Sequence, residues 1–193
     1  MRRREPGRTL RTGAVTLMVV MGMMGGCGGK DKGNETVEQE RNLPMLSVKS
    51  AAFENGATIP KKHTGEGANV SPAISWTGVP KETKEVALIC DDPDAPRPQP
   101  WVHWVVYGLG SEVTGLAEGS AGGGLEGKNS SGGTGYTGPM PPKGHGVHHY
   151  HFKVYALDTK VGLRAGTTKE DLLKAMKGHI VAQGEVVGTY ERK

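Results

Sequence analysis

Cysteine, aromatic residues and long apolar runs are all scarce in this chain of 193 residues. The two cysteines, Cys27 and Cys90, are too few to build the disulfide framework of a small extracellular scaffold. Aromatic residues make up 5% of the chain. The longest apolar run, residues 14–24, is shorter than the roughly 20 residues that a membrane-spanning helix needs. The sequence therefore predicts neither a disulfide scaffold nor a spanning helix.

An excess of charge of one sign is also lacking once the N-terminus is set aside. Residues 1–26 carry five arginines against one glutamate, so the rest of the chain holds 19 of the 24 basic and 19 of the 20 acidic residues. A neutral body offers no broad electrostatic surface for nucleic acid, and no nucleic-acid partner is expected. The 31 glycines, 12 prolines and 35% hydrophobic residues favour a turn-rich, mostly β domain.

The N-terminus has the order of a secretory signal, in which arginines precede an apolar run and small residues. Gly25 and Gly26 stand directly before Cys27. This arrangement resembles a lipobox, which predicts a signal peptide over residues 1–26 and a lipid anchor on Cys27. The alternative is an ordinary secretory signal with an incidental cysteine, because Met24 stands where a lipobox usually has leucine.

Residues 27–44 are almost entirely polar and show no periodicity. Such a segment cannot bury enough apolar surface to fold, so it is expected to be a flexible tether. An exported, lipid-anchored protein of the bacterial cell envelope is the resulting expectation. No acidic residue follows Cys27 directly, which by resemblance to enterobacterial sorting indicates the periplasmic face of the outer membrane. The folded domain is predicted over residues 45–193.

Short segments rich in β-branched and aromatic residues predict the strands of this domain. The run Val86–Cys90 is apolar on both faces, which predicts a central strand covered on both sides and a buried, inert Cys90 thiol. One helix is expected, with Thr168 as its N-cap and Gly178 as its stop. Its predicted apolar stripe consists of Leu172, Leu173 and Met176. The predicted segments are strands at Met45–Ser50, Glu85–Cys90, Trp101–Tyr107, Tyr150–Leu157 and Ile180–Thr189, and the helix Lys169–Lys177.

Three clusters hold residues that could carry chemistry. The first is Asp-Asp-Pro-Asp-Ala-Pro at 91–96, which follows the buried strand and could equally be a plain turn. The second is His103 in an apolar strand, where a core histidine is the alternative. The third is the glycine- and proline-rich run 135–150. Alternation along the strand that this run opens points His148 and Tyr150 inward and the neighbouring histidines outward.

In this order, the three clusters resemble the signature of the phosphatidylethanolamine-binding protein family, in its bacterial YbhB/YbcL-type, Raf-kinase-inhibitor-like branch. The resemblance rests on Asp-Pro-Asp-Ala-Pro, on His-Trp-Val-Val, and on Gly-Pro-Met-Pro-Pro-Lys-Gly-His-Gly-Val-His-His-Tyr. It implies a β-sandwich with a central sheet, a smaller sheet and one or two peripheral helices. It further implies an anion pocket lined by Asp92, His103, Pro142, His148 and Tyr150, with Trp101 and Gly138 at the rim.

These residues predict a non-enzymatic protein that binds a small anion, such as a phosphate or carboxylate head group, without cofactor or metal. An Asp–His hydrolase is an alternative, but the sequence supplies no evident nucleophile for it. A metal site formed by His145, His148, His149 and His151 is another, but strand alternation separates His148 from His149 and His151. A protease- or kinase-inhibitor-like interaction module is the third. The sequence identifies no protein partner, and a homodimer stays open.

Overall fold

The computed structural model of the protein describes residues 43–193. The predicted signal peptide over residues 1–26, the predicted lipidation site Cys27 and nearly all of the predicted tether over residues 27–44 lie outside this range. No helix within it is long and apolar enough to cross a membrane.

Two antiparallel sheets dominate the described domain. The larger has the strand order β6-β4-β3-β7-β8 and the smaller the order β1-β2-β5. The mostly β fold predicted from the sequence, with a central sheet against a smaller one, is confirmed. The strands are β1 (Ser47–Ser50), β2 (Ile74–Thr77), β3 (Glu85–Asp92), β4 (Trp101–Leu109), β5 (Gly115–Leu116), β6 (Leu125–Glu126), β7 (His148–Leu157) and β8 (Ile180–Tyr190).

Strand β3 lies in the middle of the larger sheet, and all eight of its residues are buried. Its alternate side chains enter two different cores, because successive residues of a strand point to opposite faces. Leu88 packs between the two sheets with Trp76 and Phe152. Ile89 packs on the outer face with Leu172 of the helix. The expectation of a central strand covered on both faces is confirmed, and Cys90 is only 1% exposed.

Helix α1 (Lys169–Met176) covers part of the outer face of the larger sheet. Thr168 caps it, because its side-chain oxygen accepts a hydrogen bond from the Asp171 backbone N–H. Leu172 and Met176 are fully buried, whereas Leu173 is 36% exposed. The prediction that Leu173 belongs to the buried apolar stripe was therefore wrong.

The glycine-rich segment between β4 and β7 is more ordered than its sequence indicates. It contains the two-residue strands β5 and β6, neither of which the residue pattern predicted. Asn129 organises part of it, since its side-chain amide donates to the Gly135 carbonyl and to the Thr137 hydroxyl. Hydrogen bonds to loop backbone replace sheet pairing here, so the segment has a fixed path with little regular structure.

Candidate functional site

Three strand ends meet at one edge of the larger sheet. Strand β3 ends there at Asp92, while β4 begins with Trp101 and β7 begins with His148. Asp92 is the direct partner of Trp101 in the β3–β4 ladder, and Asp91 is the partner of His151 in the β3–β7 ladder. Antiparallel pairing therefore brings together residues as far apart in the chain as Asp91 and His151, which are 60 positions apart.

A cavity of about 560 Å³ opens at this edge. The seven residues predicted to form a ligand site all border it. Nine further residues, which the predicted set of ligand-site residues does not include, complete its wall. The predicted residues are Asp92, Trp101, His103, Gly138, Pro142, His148 and Tyr150, and the additional ones are Gly65, Asn69, Ala95, Pro96, Arg97, Ser131, Thr137, Met140 and Pro141.

Asp92 and His148 form a buried hydrogen-bonded pair at the cavity wall. The His148 Nδ1 lies 2.7 Å from Asp92 Oδ2, and the two side chains are 1% and 5% exposed. A carboxylate accepts hydrogen bonds, so His148 Nδ1 carries a proton. The other oxygen of Asp92 accepts the backbone N–H of Asp94 at 2.8 Å. Asp92 therefore orients His148 and has both of its own oxygens satisfied.

The second ring nitrogen of His148 also has a partner. His148 Nε2 lies 2.7 Å from Nδ1 of His145, an exposed residue. The sequence analysis considered His145 only as a metal ligand and did not place it in the site. The sequence signal for His145 was its spacing from His148, the first residue of β7. A turn three residues before a strand can fold back over the first residue of that strand.

His103 lies in strand β4 with one ring nitrogen fixed by a backbone carbonyl. Its Nδ1 is 2.5 Å from Thr137 O, and since a carbonyl only accepts, Nδ1 is the protonated nitrogen. Burial lowers the pKa of His103 below its ordinary value, because the charged imidazole loses its water. The backbone hydrogen bond to Thr137 and the charge of Asp92 act the other way. A neutral His103 therefore has an unprotonated Nε2.

Tyr150 packs its ring edgewise against His103, with ring centroids 5.0 Å apart and an interplanar angle of 76°. Tyr150 is 1% exposed. Its hydroxyl has no hydrogen-bond partner within residues 43–193. Burial raises the pKa of Tyr150, and nearby Asp92 acts in the same direction. The phenol therefore stays protonated, and its hydroxyl can donate a hydrogen bond to a ligand atom.

Gly138 forms a wall of the cavity where the chain passes very close to another loop. A Cβ atom at this position would lie 2.5 Å from His63 O and 2.8 Å from the Thr64 Cα. The backbone N–H of Gly138 donates to Asn69 Oδ1 at 2.7 Å. Only glycine fits this approach, so Gly138 shapes the wall through its lack of a side chain.

The mouth of the cavity combines a cation with apolar side chains. The Arg97 guanidinium lies 4.3 Å from the Trp101 ring centroid, a stacked cation–π contact. Met140 is 49% exposed beside Pro141 and Pro142. Arg97 follows the aspartate–proline cluster directly in sequence, and its position next to that cluster was the signal available for it.

The histidines that alternation pointed outward do lie away from the cavity. His149 pairs with Asp94, and His151 pairs with Glu185. In the part of the chain described, no three histidine, cysteine or acidic side chains are grouped so that they could hold a metal ion. Each of these histidines is thus engaged with its own carboxylate.

Comparison with known proteins identifies the family. The family model named Phosphatidylethanolamine-binding protein matches residues 49–191, which include all three site clusters. The chain belongs to the phosphatidylethanolamine-binding protein family. The resemblance predicted from the three motifs is confirmed, and proteins of this family are generally binding proteins.

Relatives within the phosphatidylethanolamine-binding protein family cover the whole folded domain. A UPF0098 protein of Methanothermobacter thermautotrophicus is 46% identical over 153 residues, 76% of this chain and 99% of its own. The crystal structure of a phosphatidylethanolamine-binding protein homologue from Chlamydia trachomatis is 43% identical, with a TM-score of 0.73 over 77% of this chain and 99% of its own. YbcL of Escherichia coli, described as a member of the mammalian family, is 34% identical with a TM-score of 0.72 over the same shares.

Proposed function

We propose that the cavity at the edge of the larger sheet binds a small anionic group, such as a phosphate or a carboxylate, without catalysing a reaction on it. One observation carries the proposal. A buried phenol hydroxyl, which lacks a partner within residues 43–193, borders the same cavity as two imidazoles, His103 and His148. Hydroxyl and protonated imidazole groups are donors that anion oxygens accept.

The ligand is larger than a bare anion. A cavity of about 560 Å³ lies within the range of pockets that hold drug-sized molecules. Its mouth has exposed apolar side chains, Met140 and Pro142, beside the Arg97–Trp101 stack. We therefore propose that the anionic group is the head of an organic molecule, whose remaining part contacts this mouth.

Binding is expected to take up a proton at His103. With Nδ1 committed to Thr137 O, Nε2 of the neutral ring presents a lone pair, which repels an anion. Protonation converts Nε2 into a donor. Because burial lowers the pKa of His103, its ring is neutral near neutral pH when the site is empty. Binding of the anion is therefore accompanied by uptake of a proton at His103. Asp92 and Asp91 favour the charged ring, and His148 opposes it.

Titration calorimetry with sulfate tests this function, since the charge of sulfate does not change between pH 8 and pH 6. Uptake of one proton strengthens binding by up to about tenfold for each pH unit that is lost. The His103→Gln variant is expected to bind sulfate more weakly than the wild type and with a smaller dependence on pH. Absence of binding throughout this range, or tighter binding at pH 8 than at pH 6, would contradict the proposal.

We also propose that this domain is tethered in the bacterial cell envelope by a lipid on Cys27. What supports the proposal is the order of the N-terminal sequence: arginines, an apolar run and two glycines before the cysteine. A neutral folded domain that binds anionic head groups would then be held close to a membrane surface.

A further inference from the structure

His148 borders the cavity, yet neither of its ring nitrogens is free to meet a ligand there. Nδ1 is held by Asp92 Oδ2 and Nε2 by His145 Nδ1, each at 2.7 Å. The centroids of the two imidazoles are 5.0 Å apart. An anion in the cavity can therefore use His148 as a donor only after His145 has moved.

The hydrogen bond between the two imidazoles is weaker than the one an anion would make. It requires a proton on one ring nitrogen and a lone pair on the other. When His148 is protonated at both nitrogens, its Nε2 donates, and either His145 Nδ1 or an anion oxygen can accept. The doubly protonated His148 is charged, and an anion adds the attraction of opposite charges to the hydrogen bond, which the neutral His145 ring does not, so the anion is the better acceptor.

His145 is also placed so that it can leave at small cost. Its side chain is exposed, and it closes a β-turn in which its backbone N–H donates to Pro142 O at 3.2 Å. Gly144 and Gly146 flank it with φ of +72° and +95°. A Cβ atom at either glycine would have no neighbour within 4 Å. The His145 ring therefore has open space on both sides. The turn itself is held in place, because the Gly144 N–H donates to Arg192 O at 3.1 Å.

We propose that His145 is a displaceable cap on His148: an anion that enters the cavity replaces the His145 ring at His148 Nε2, and the His145 side chain turns into solvent. The inference rests on the proposed anion-binding function and adds a residue that competes with the ligand. Occupancy of the cavity is thereby reported on the protein surface, where the turn lies.

Removal of the competing ring is the direct test. The His145→Ala variant is expected to bind inorganic phosphate roughly ten- to a hundredfold more tightly than the wild type at pH 7, which is the range that loss of one competing hydrogen bond to a charged ring predicts. The control is His179→Ala, which removes an exposed histidine paired with Asp158 at the opposite end of β7 and should bind phosphate as the wild type does.

A second measurement follows the ring itself. In NMR spectra of the wild type, phosphate should move the His145 ring signals toward those of a free exposed histidine and leave the His179 signals unchanged. If His145→Ala binds phosphate equally or more weakly than the wild type, or if the His145 signals do not respond, the proposal that His145 caps His148 is wrong. The proposed anion site is not contradicted by that result. If the wild type and His145→Ala both fail to bind phosphate, the proposed function falls, and the cap falls with it.

Discussion

At the scale of single residues, a missing side chain matters as much as a charged one. Gly138 lies where the wall of the cavity meets the His63–Thr64 backbone, and its φ does not lie in the left-handed region. The requirement for glycine here is therefore one of space. A methyl group would push the loop outward and break the hydrogen bond from the Gly138 N–H to Asn69.

The Gly138→Ala variant is accordingly expected to lose about 1–3 kcal/mol of unfolding free energy, the usual cost of overpacking. Urea denaturation measures the loss. The matched control is Gly133→Ala in the same loop, where a Cβ atom meets nothing within 4 Å and φ is not positive. That change should stay within roughly 0.5 kcal/mol of the wild type. Equal stability of the two variants would show that the wall at Gly138 yields without cost.

At the scale of secondary-structure elements, an ion-pair cluster joins the helix to the sheet. Asp91 at the end of β3 accepts hydrogen bonds from Lys169, at the start of α1, and from Lys153 of β7. Asp91 is 3% exposed. Burial acts to raise the pKa of Asp91, but the two ammonium groups outweigh it and hold the pKa below its ordinary value of 3.8. The cluster lies on the sheet face opposite to the Leu88 core.

The Asp91→Asn variant should lose about 1–3 kcal/mol of unfolding free energy at pH 7, because a charged hydrogen-bond acceptor is removed from two lysines. A carboxyl whose pKa is lowered by folding stabilises the protein above pH 3.8, and this stabilisation disappears as the pH falls through the lower folded value. The difference between wild type and variant should therefore shrink below about pH 4.

Urea titrations at pH 7 and at pH 3.5 measure this difference. Asp158→Asn is the control, because its pair with His179 is exposed on both sides and contributes little. A penalty for Asp91→Asn that is the same at both pH values would mean that the cluster acts through packing and not through charge.

At the scale of the whole molecule, the proposed lipid anchor would hold the proposed binding site at a membrane surface. The Cys27→Ser variant should move from the membrane fraction to the soluble fraction of the cell envelope, since a thioether-linked lipid needs the sulfur atom. Fractionation followed by detection of the protein measures this shift. A wild type that is already soluble, or a variant that stays with the membranes, would contradict lipidation at Cys27.

Cys90→Ala is the matched control for this experiment. The Cys90 thiol is fully buried in β3, and burial raises its pKa well above its ordinary value, so it does not react as a thiolate. The Cys90→Ala protein should therefore remain in the membrane fraction together with the wild type.

The alternation of residues along β7 predicted correctly that His148 and Tyr150 point inward, because the period of a strand is a local property of the backbone. The apolar run of β3 likewise predicted a strand covered on both faces. The short strands β5 and β6 escaped prediction, since two residues each carry no periodic signal. The Leu173 side chain was misplaced because a stripe three residues wide exceeds the face that α1 buries.

The sequence by itself determined which residue types are available, in which order, and on which face of each strand, since these follow from local chemistry and the period of the backbone. Only the tertiary structure decided which nitrogen of each imidazole is held by a hydrogen bond within the protein. His103 is fixed by a carbonyl 34 positions later, and His148 by a carboxylate 56 positions earlier. Contacts over such distances depend on how antiparallel strands align and on where the loops return, which no short segment specifies.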